Sequence, residues 1–468
     1  MVSIVGIVLS LLLLMYLAYR DVSVLVLAPL CALMAVLFDG NLPLLATYTQ
    51  IFMVSVGQFI SAFFPLFLLG AIFGKLMEDS GAAAKIADVI IQRLGKQRTM
   101  MAVVLSCAIL TYGGVSLFVV VFAVFPLASS LFQQANIPRR LIPAAIALGS
   151  FTFTMTAMPG TPQIQNQIPM QFFRTNSFAA PGLGLIGSLI MFSLGMLWLN
   201  SRVAAAKRNE EGFGLIQNSE AEVEDGKAEN VDNNLPSTAS AFAPLICVIG
   251  LNFILSQYII PTWNADYLAS EQFGKTELAR VLGTWSTILS LVSALVLTIA
   301  LHFRSVQKLK DSLALGAQSS LLPVFNTACE YGYGNTIKSL AGFAVVQKFV
   351  TGIAPGNPLI SEAIAVNSLA AMTGSASGGL SIALKTLGET YYQRGIEAGI
   401  NPELLHRVAS MACGGLDSLP HNGAVITLLL ICGVTHRQGY KDVGMVSVLC
   451  PVAATVTVIF LGTIFGSF

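Results

Sequence analysis

Residues 141–166 read LIPAAIALGSFTFTMTAMPGTPQIQN. An apolar run, 141–158, stops at Pro159-Gly160-Thr161-Pro162. A helix cannot cross that tetrapeptide intact, because each proline lacks an N–H and crowds the turn before it. The neighbouring sequence places this broken helix in lipid. A membrane crossing takes about 20 apolar residues, and runs of that kind occupy 2–19, 22–38, 51–76, 183–199, 241–260, 281–301 and 445–465. The 468-residue chain is 10% charged with a mean hydropathy of +0.74. Soluble chains average about 25% charged residues, so this one lacks the surface that water requires. The reading is an all-α polytopic membrane protein. The first run has no basic segment before it and is followed by Arg20-Asp21, not by a small-residue cleavage site, so it reads as a span and not a cleaved leader.

The same kind of interruption recurs. Residues 100–110 are too short to cross, break at Thr111-Tyr112-Gly113-Gly114, and resume over 115–131. A later run breaks at Thr373-Gly374-Ser375-Ala376-Ser377-Gly378-Gly379, and another at Leu419-Pro420-His421-Asn422-Gly423. Between the two sets lies a polar segment, 207–240, whose charges are mostly acidic (Glu210, Glu211, Glu220, Glu222, Glu224, Asp225, Glu229, Asp232). It divides the chain into a first membrane repeat (1–206), a linker (207–240) and a second repeat (241–468). Each half has three spans, an amphipathic stretch (84–94 and 337–350), a Gly-broken run, a Pro-containing break and a last span. Ile137-Pro138-Arg139-Arg140-Leu141 parallels Asn401-Pro402-Glu403-Leu404-Leu405. Basic residues cluster at Arg20, at Lys75 to Arg98, at Arg202 to Arg208 and at Arg304 to Lys310, whereas 39–50 has none. With basic loops inside, the N-terminus is external, the linker is cytoplasmic, and the halves enter the membrane from opposite sides. The expected architecture is two inverted-topology repeats with broken helices and re-entrant hairpins, forming a scaffold and a transport domain.

Broken helices in lipid survive where protein or a wet cavity satisfies the freed backbone groups, and their N-terminal ends attract anions. The expected substrate-binding residues are therefore those of the breaks: Thr111, Gly113, Gly114, Ser116, Thr156, Pro159, Gly160, Thr161, Gln163, Asn166, Gly374, Ser375, Ser377, Pro420, His421 and Asn422. Ser, Thr and Gly also serve simply to pack helices closely. Ionisable residues in apolar surroundings mark proton paths, which singles out Asp417 and His421, flanking Pro420, and also Glu362. Glu330 and Glu362 lie near the ends of the predicted spans, where a solvated role competes.

At these residues the chain resembles the gluconate permease (GntP) family of the ion transporter superfamily. The likeness spans essentially the whole chain. It is carried by the block from Leu69 to Gly81 (LGAIFGKLMEDSG), Asn136-Ile137-Pro138, Pro159-Gly160-Thr161-Pro162, Thr373-Gly374-Ser375-Ala376 and Pro420-His421-Asn422. The resemblance implies a bacterial inner-membrane symporter of small hydroxy- or keto-carboxylates, driven by protons and assembled as a homodimer. Gluconate permeases carry a His in the first proline-rich break. Here that stretch, 157–166, has none, which is more like the D-3-hydroxybutyrate permease branch. An elevator-type symport of that acid is the expectation; sodium coupling, or a gluconate, lactate or citrate-type anion, stays open.

Other classes fit less well. An intramembrane enzyme needs a convergent catalytic set, and Asp417 with His421 stands without a GxSxG or HExxH motif. A channel or structural subunit suits a short ring-forming unit, not a two-halved chain of this length. Net charge is +1 with no basic patch interleaved with aromatics, so a nucleic-acid partner is not expected. Seven scattered cysteines give no metal or disulfide spacing. No cofactor or resident metal is expected; the partners are a small organic anion and the bilayer.

Overall fold

The computed structural model describes residues 2–18, 20, 22–95, 98–115, 117–214, 235–303, 309–354, 356–420 and 422–468. The core of the acidic linker (215–234), Ser116 and His421 lie outside the described residues. Helices α1 (Val2–Ala18) and α2 (Val24–Asp39) pair. α3 (Leu44–Ala46) then runs through a π-turn into α4 (Met53–Asp79), a continuous helix of 36 residues. α5 (Ala82–Leu94) follows, then a hairpin of α6 (Thr99–Tyr112) and α7 (Leu117–Gln134). A broken helix comes next, made of α8 (Ile142–Ser150), the single turn α9 (Phe153–Thr156) and α10 (Ile164–Phe173), and α11 (Pro181–Arg208) ends the half.

After the linker the order repeats. α12 (Thr238–Ile254), α13 (Leu278–His302) and α14 (Leu309–Ser339) are the three spans, and α15 (Phe343–Thr351) is the short helix. α16 (Pro358–Thr373) and α17 (Ala376–Glu397) form a second hairpin. α18 (Pro402–Cys413) and α19 (Gly423–Ile431) form a second broken helix. α20 (His436–Gly444) continues through a π-turn into α21 (Cys450–Phe465).

Composition explains these elements. Among the described residues, five helical stretches are long and apolar enough to cross a bilayer: Leu44–Asp79, Pro181–Arg208, Thr238–Thr262, Leu278–His302 and His436–Phe465. α5 is amphipathic instead. It buries Ala82, Ala83, Ile86, Ala87 and Ile90 on one stripe and turns Lys85, Asp88 and Gln92 away, the pattern of a helix lying along an interface.

Two bundles result. α1, α2, α4 and α12–α14 pack together as a scaffold. The hairpins, both broken helices, α11 and α21 form the second body. Small residues permit the closest approaches, as expected where lipid supplies no hydrophobic drive between helices. A Cβ at Gly316 of α14 would stand 2.8 Å from the Ile72 Cα of α4, and Gly149 of α8 rests on the Val104 carbonyl of α6.

The boundaries differ from the sequence reading in three places. The stretch 337–350 is divided, because α14 runs to Ser339 before α15 begins at Phe343. The first break opens at Phe151, well before Pro159. There the Ser150, Thr152 and Thr154 hydroxyls bond back to the carbonyls of Ile146, Leu148 and Gly149, competing with the helix. The second break opens at Gly414, ahead of Leu419.

One end of the second body, on the linker side, is tied by an ion network. Buried Asp442 accepts from Trp198 Nε1 (3.0 Å), Arg202 Nε (2.9 Å) and Arg140 Nη1 (2.9 Å). Arg140 also grips Glu211 with two N–H groups at 2.6 and 2.8 Å, anchoring the first residues of the linker to the broken helix. That fork holds the Glu211 carboxyl below its usual range. A depressed carboxylate stabilises the fold above its unfolded pKa of about 4.3 and loses that contribution as pH falls through the folded value. Glu211→Gln is expected to melt at a lower temperature than the parent at pH 7. The two melting curves in detergent should converge below about pH 4, whereas a gap that persists there would count against this tie.

Candidate functional site

Each hairpin tip is held by an amide side chain from the nearby break. In the first half, Gln163 Nε2 donates to the Thr111 carbonyl at 2.8 Å, and Tyr112 Oη donates to the Pro159 carbonyl at 2.7 Å. Gly114, at φ +96°, fits beneath Pro162. In the second half, Asn422 Nδ2 donates to the Gly374 carbonyl at 2.8 Å, while Asn422 Oδ1 caps α19 by accepting from Val425 N at 2.9 Å. Hairpin tips expose carbonyls that lipid cannot satisfy, and the two halves meet this need with the same device. Asn422→Asp keeps the cap and loses the donor; Asn422→Ala loses both. Uptake is expected to fall in the order parent, Asp, Ala, with the cap contributing about 1 kcal/mol of stability. Equal uptake in all three would remove Asn422 from the tip.

Between the tips lies a cavity of about 560 Å³. It shares Phe67, Leu117, Met155, Ile164, Gln165 and Pro323 with an adjoining space of about 580 Å³ that extends to Lys75 and Glu78 at the linker-side end of α4. Five helices begin at this cavity: its lining includes Val24 of α2, Leu117 of α7, Ile164 and Gln165 of α10, Ala376 and Ser377 of α17, and Gly423 and Ala424 of α19. Helix N-termini present N–H groups and a positive dipole end. Two of them carry side-chain caps. Ser375 Oγ accepts from Gly378 N at 3.1 Å on α17, and Asn422 caps α19. α10 has none, since its N-cap residue Gln163 sends its side chain to Thr111 instead. Its first N–H groups face the cavity without a side-chain cap.

The cavity also holds two acids. Glu330 of α14 is buried, and its Oε2 has no partner among the described residues. It lies flush against Gly378, where a Cβ would collide with the carboxylate. Among the described residues, Asp417 accepts one side-chain bond, from Ser418 Oγ at 3.1 Å. No Lys or Arg stands among the described residues of this lining. Amide and hydroxyl groups complete it, with Gln165 Oε1 and Asn326 Oδ1 unpartnered among the described residues.

The structure gathers part of the expected set here. Gly374, Ser375, Ser377, Asp417 and Asn422 line the cavity, and Gly114 and Gln163 line the adjoining space. Thr111 is buried at the first tip, Gly113 packs on Leu245, and the Pro159 and Pro420 carbonyls accept from Tyr112 and His436. Thr156, Gly160, Thr161 and Asn166 are buried in the packing of the first break and do not reach the cavity. Glu362 is fully buried on α16 outside the lining, with both oxygens unpartnered among the described residues. Neither Glu330 nor Glu362 is solvated as a span end would be.

Gln165, Asn326 and Thr327 line the cavity unforeseen, and Glu330, set beside Glu362 as a further ionisable candidate, lines it with them. Arg407 is another omission. Fully buried on α18, it reaches across to the first half's break. Its Nε and Nη2 donate to the Ala179 carbonyl at 3.1 and 2.7 Å, and its Nη1 donates to the Thr156 carbonyl and Asn166 Oδ1, both at 3.1 Å. His406 beside it is hydrogen-bonded between Thr175 and Asn166. A cation inside the mostly apolar helix Pro402–Cys413 was the signal available for Arg407.

Residues 1–324 match the profile described as GntP family permease. The chain is 46% identical, over 98% of both sequences, to a Bacillus subtilis (strain 168) protein called an uncharacterized transporter, YxjC. Its fold is similar to that of the Alcanivorax borkumensis YdaH transporter, with a TM-score of 0.56 over 88% of each chain at 13% identity.

Proposed function

The chain belongs to the GntP family of permeases and is a transporter; on that premise we propose that it is a proton-coupled symporter importing a small hydroxy-carboxylate, D-3-hydroxybutyrate or a similar short monocarboxylate. It works as a homodimer in the bacterial cytoplasmic membrane, with the N-terminus outside and the linker inside. The observation that carries this reading is the make-up of the cavity between the hairpin tips. It offers converging helix N-termini, those of α2 and α10 without a side-chain cap, and hydroxyl and amide side chains. These suit one carboxylate and one hydroxyl. Its only charged described residues are two acids, Glu330 and Asp417.

Those acids supply the coupling. A third negative charge beside two carboxylates is repelled, so the anion enters when Glu330 and Asp417 carry protons. Asp417, Glu362 and His421 are the expected proton-carrying residues, and the lining of the cavity adds Glu330 to them. The carboxylate of the substrate docks on the first turn of α10 beside Gln165. Its hydroxyl meets the Ser375, Ser377 and Asn422 side of the second tip. The second body then moves past the scaffold with its cargo, an elevator step in which α14 with Glu330 stays behind.

Substrate choice is tested in proteoliposomes by competition against labelled D-3-hydroxybutyrate. Unlabelled D-3-hydroxybutyrate and lactate are expected to compete and gluconate to compete poorly. Gluconate outcompeting both would overturn the assignment.

A further inference from the structure

A second chamber, of about 540 Å³, lies against a neighbouring face of α14, nearer the C-terminal end of that helix than the transport cavity. The two are a single residue apart on that helix: Glu330 lines the transport cavity and Tyr331 lines the chamber. The chamber sits toward the face opposite the linker. Its wall takes Arg280 and Thr284 from α13, and Lys338 from the far end of α14. From the moving body it takes Gln171 of α10 and Lys385 and Glu389 of α17.

Its charge is opposite in sign to that of the transport cavity. Arg280 pairs with Glu277 at 3.5 Å, and Glu389 is engaged by Gln393 Nε2 at 2.7 Å. The two lysines have no carboxylate partner among the described residues. Lys338 Nζ donates to the Lys385 carbonyl at 3.3 Å. Lys385 Nζ donates to Gln58 Oε1 at 3.4 Å and lies 4.7 Å from the centre of the Tyr331 ring. The Thr284 hydroxyl, also in this wall, is buried with no partner among the described residues. Two ammonium groups and an unused hydroxyl in one chamber form a receptor for a small hydroxy-carboxylate. Lysine is a flexible point charge that captures and releases an anion without a fixed fork.

We propose that this chamber is a capture site that binds the carboxylate of the incoming acid between Lys338 and Lys385 before the transport cavity receives it. The proposal rests on the reading that the chain carries a small organic anion. Scaffold and moving body both contribute walls, so the elevator step dismantles the site and frees the anion. Cationic chambers raise the local concentration of an anion, with effects on capture of about tenfold or more that decline with ionic strength.

The test uses the full-length chain in vesicles of both orientations, with labelled D-3-hydroxybutyrate. For Lys338→Met/Lys385→Met, the KM measured from the chamber's face is expected to rise about tenfold, while the KM measured from the linker face is unchanged. Added salt should raise the parent's KM from the chamber's face and leave the variant's flat. An equal rise from both faces, or no rise from either, overturns the capture site. Lys338→Arg/Lys385→Arg keeps the charges and should restore most of the low KM; if both pairs lose transport alike, the lysines are structural and the proposal is also wrong. Failure of the parent protein to move any short carboxylate would instead sink the functional reading, so the two failures are told apart by the parent alone.

Discussion

Arg407→Met is expected to abolish uptake and to lower the melting temperature more than any other single substitution at the breaks. The guanidinium donates twice to the Ala179 carbonyl, and it also serves Thr156 and Asn166. A buried acceptor left unpaired costs about 1–3 kcal/mol. Removing the cation also removes one of the links by which α18, from the second half, fixes the first half's break, beside those of His406 and Ser410. Met keeps much of the volume, so packing loss is small and the missing donors dominate. Lysine keeps the charge but has no planar fork to reach several acceptors, so Arg407→Lys should fall between the parent and Met in both stability and uptake. Detergent melting curves and uptake rates on the three proteins check this order. If Met were as stable and active as the parent, the break would not depend on the guanidinium.

Glu330→Gln is expected to separate binding from coupling. The amide resembles the protonated acid in shape and charge, so the cavity still accepts an anion. It carries no proton, so a pH gradient no longer drives accumulation. Removing the repulsion from one carboxylate should tighten substrate binding at alkaline pH by about tenfold, equivalent to about 1.4 kcal/mol. Exchange of labelled for unlabelled substrate should persist while uphill uptake disappears. Asp417→Asn should behave the same way, and each variant alone should weaken the pH dependence of binding. If Glu330→Gln accumulated substrate up its gradient as well as the parent, Glu330 would have no part in coupling. Gly378→Ala is a related probe, because the added methyl meets the Glu330 carboxylate in this arrangement.

Hydropathy and helix breakers made the frame of this fold readable. Apolar runs of spanning length and Gly or Pro interruptions are local signals, and two halves with the same order amplify each other. The tips at Gly114 and Gly374 could be found for the same reason. Residues acting across the fold were harder. Arg407 is separated by more than two hundred positions from the carbonyls it serves, so only the tertiary structure pairs them. Glu330 looked like a span end because hydropathy falls around Tyr331-Gly332-Tyr333-Gly334, yet α14 continues to Ser339 and buries it. Glycine lowers hydropathy without exposing the helix; here Gly332 and Gly334 let α14 pack closely on its neighbours. Thr156, Gly160, Thr161 and Asn166 mislead in the opposite direction. Their polar groups satisfy the break itself, with Thr161's carbonyl accepting from Asn166 and Gln167 at 3.0 Å each. A hydroxyl or amide in a break serves either the backbone or the cargo, and periodicity does not separate the two.

The central claim is that protons on cavity carboxylates accompany a small organic anion. It is tested most directly by loading purified protein into proteoliposomes and following labelled D-3-hydroxybutyrate under an imposed inward proton gradient, with and without sodium. Accumulation that needs the proton gradient, collapses with a protonophore and ignores sodium is the predicted result. Uptake that requires sodium and is indifferent to the proton gradient would contradict it.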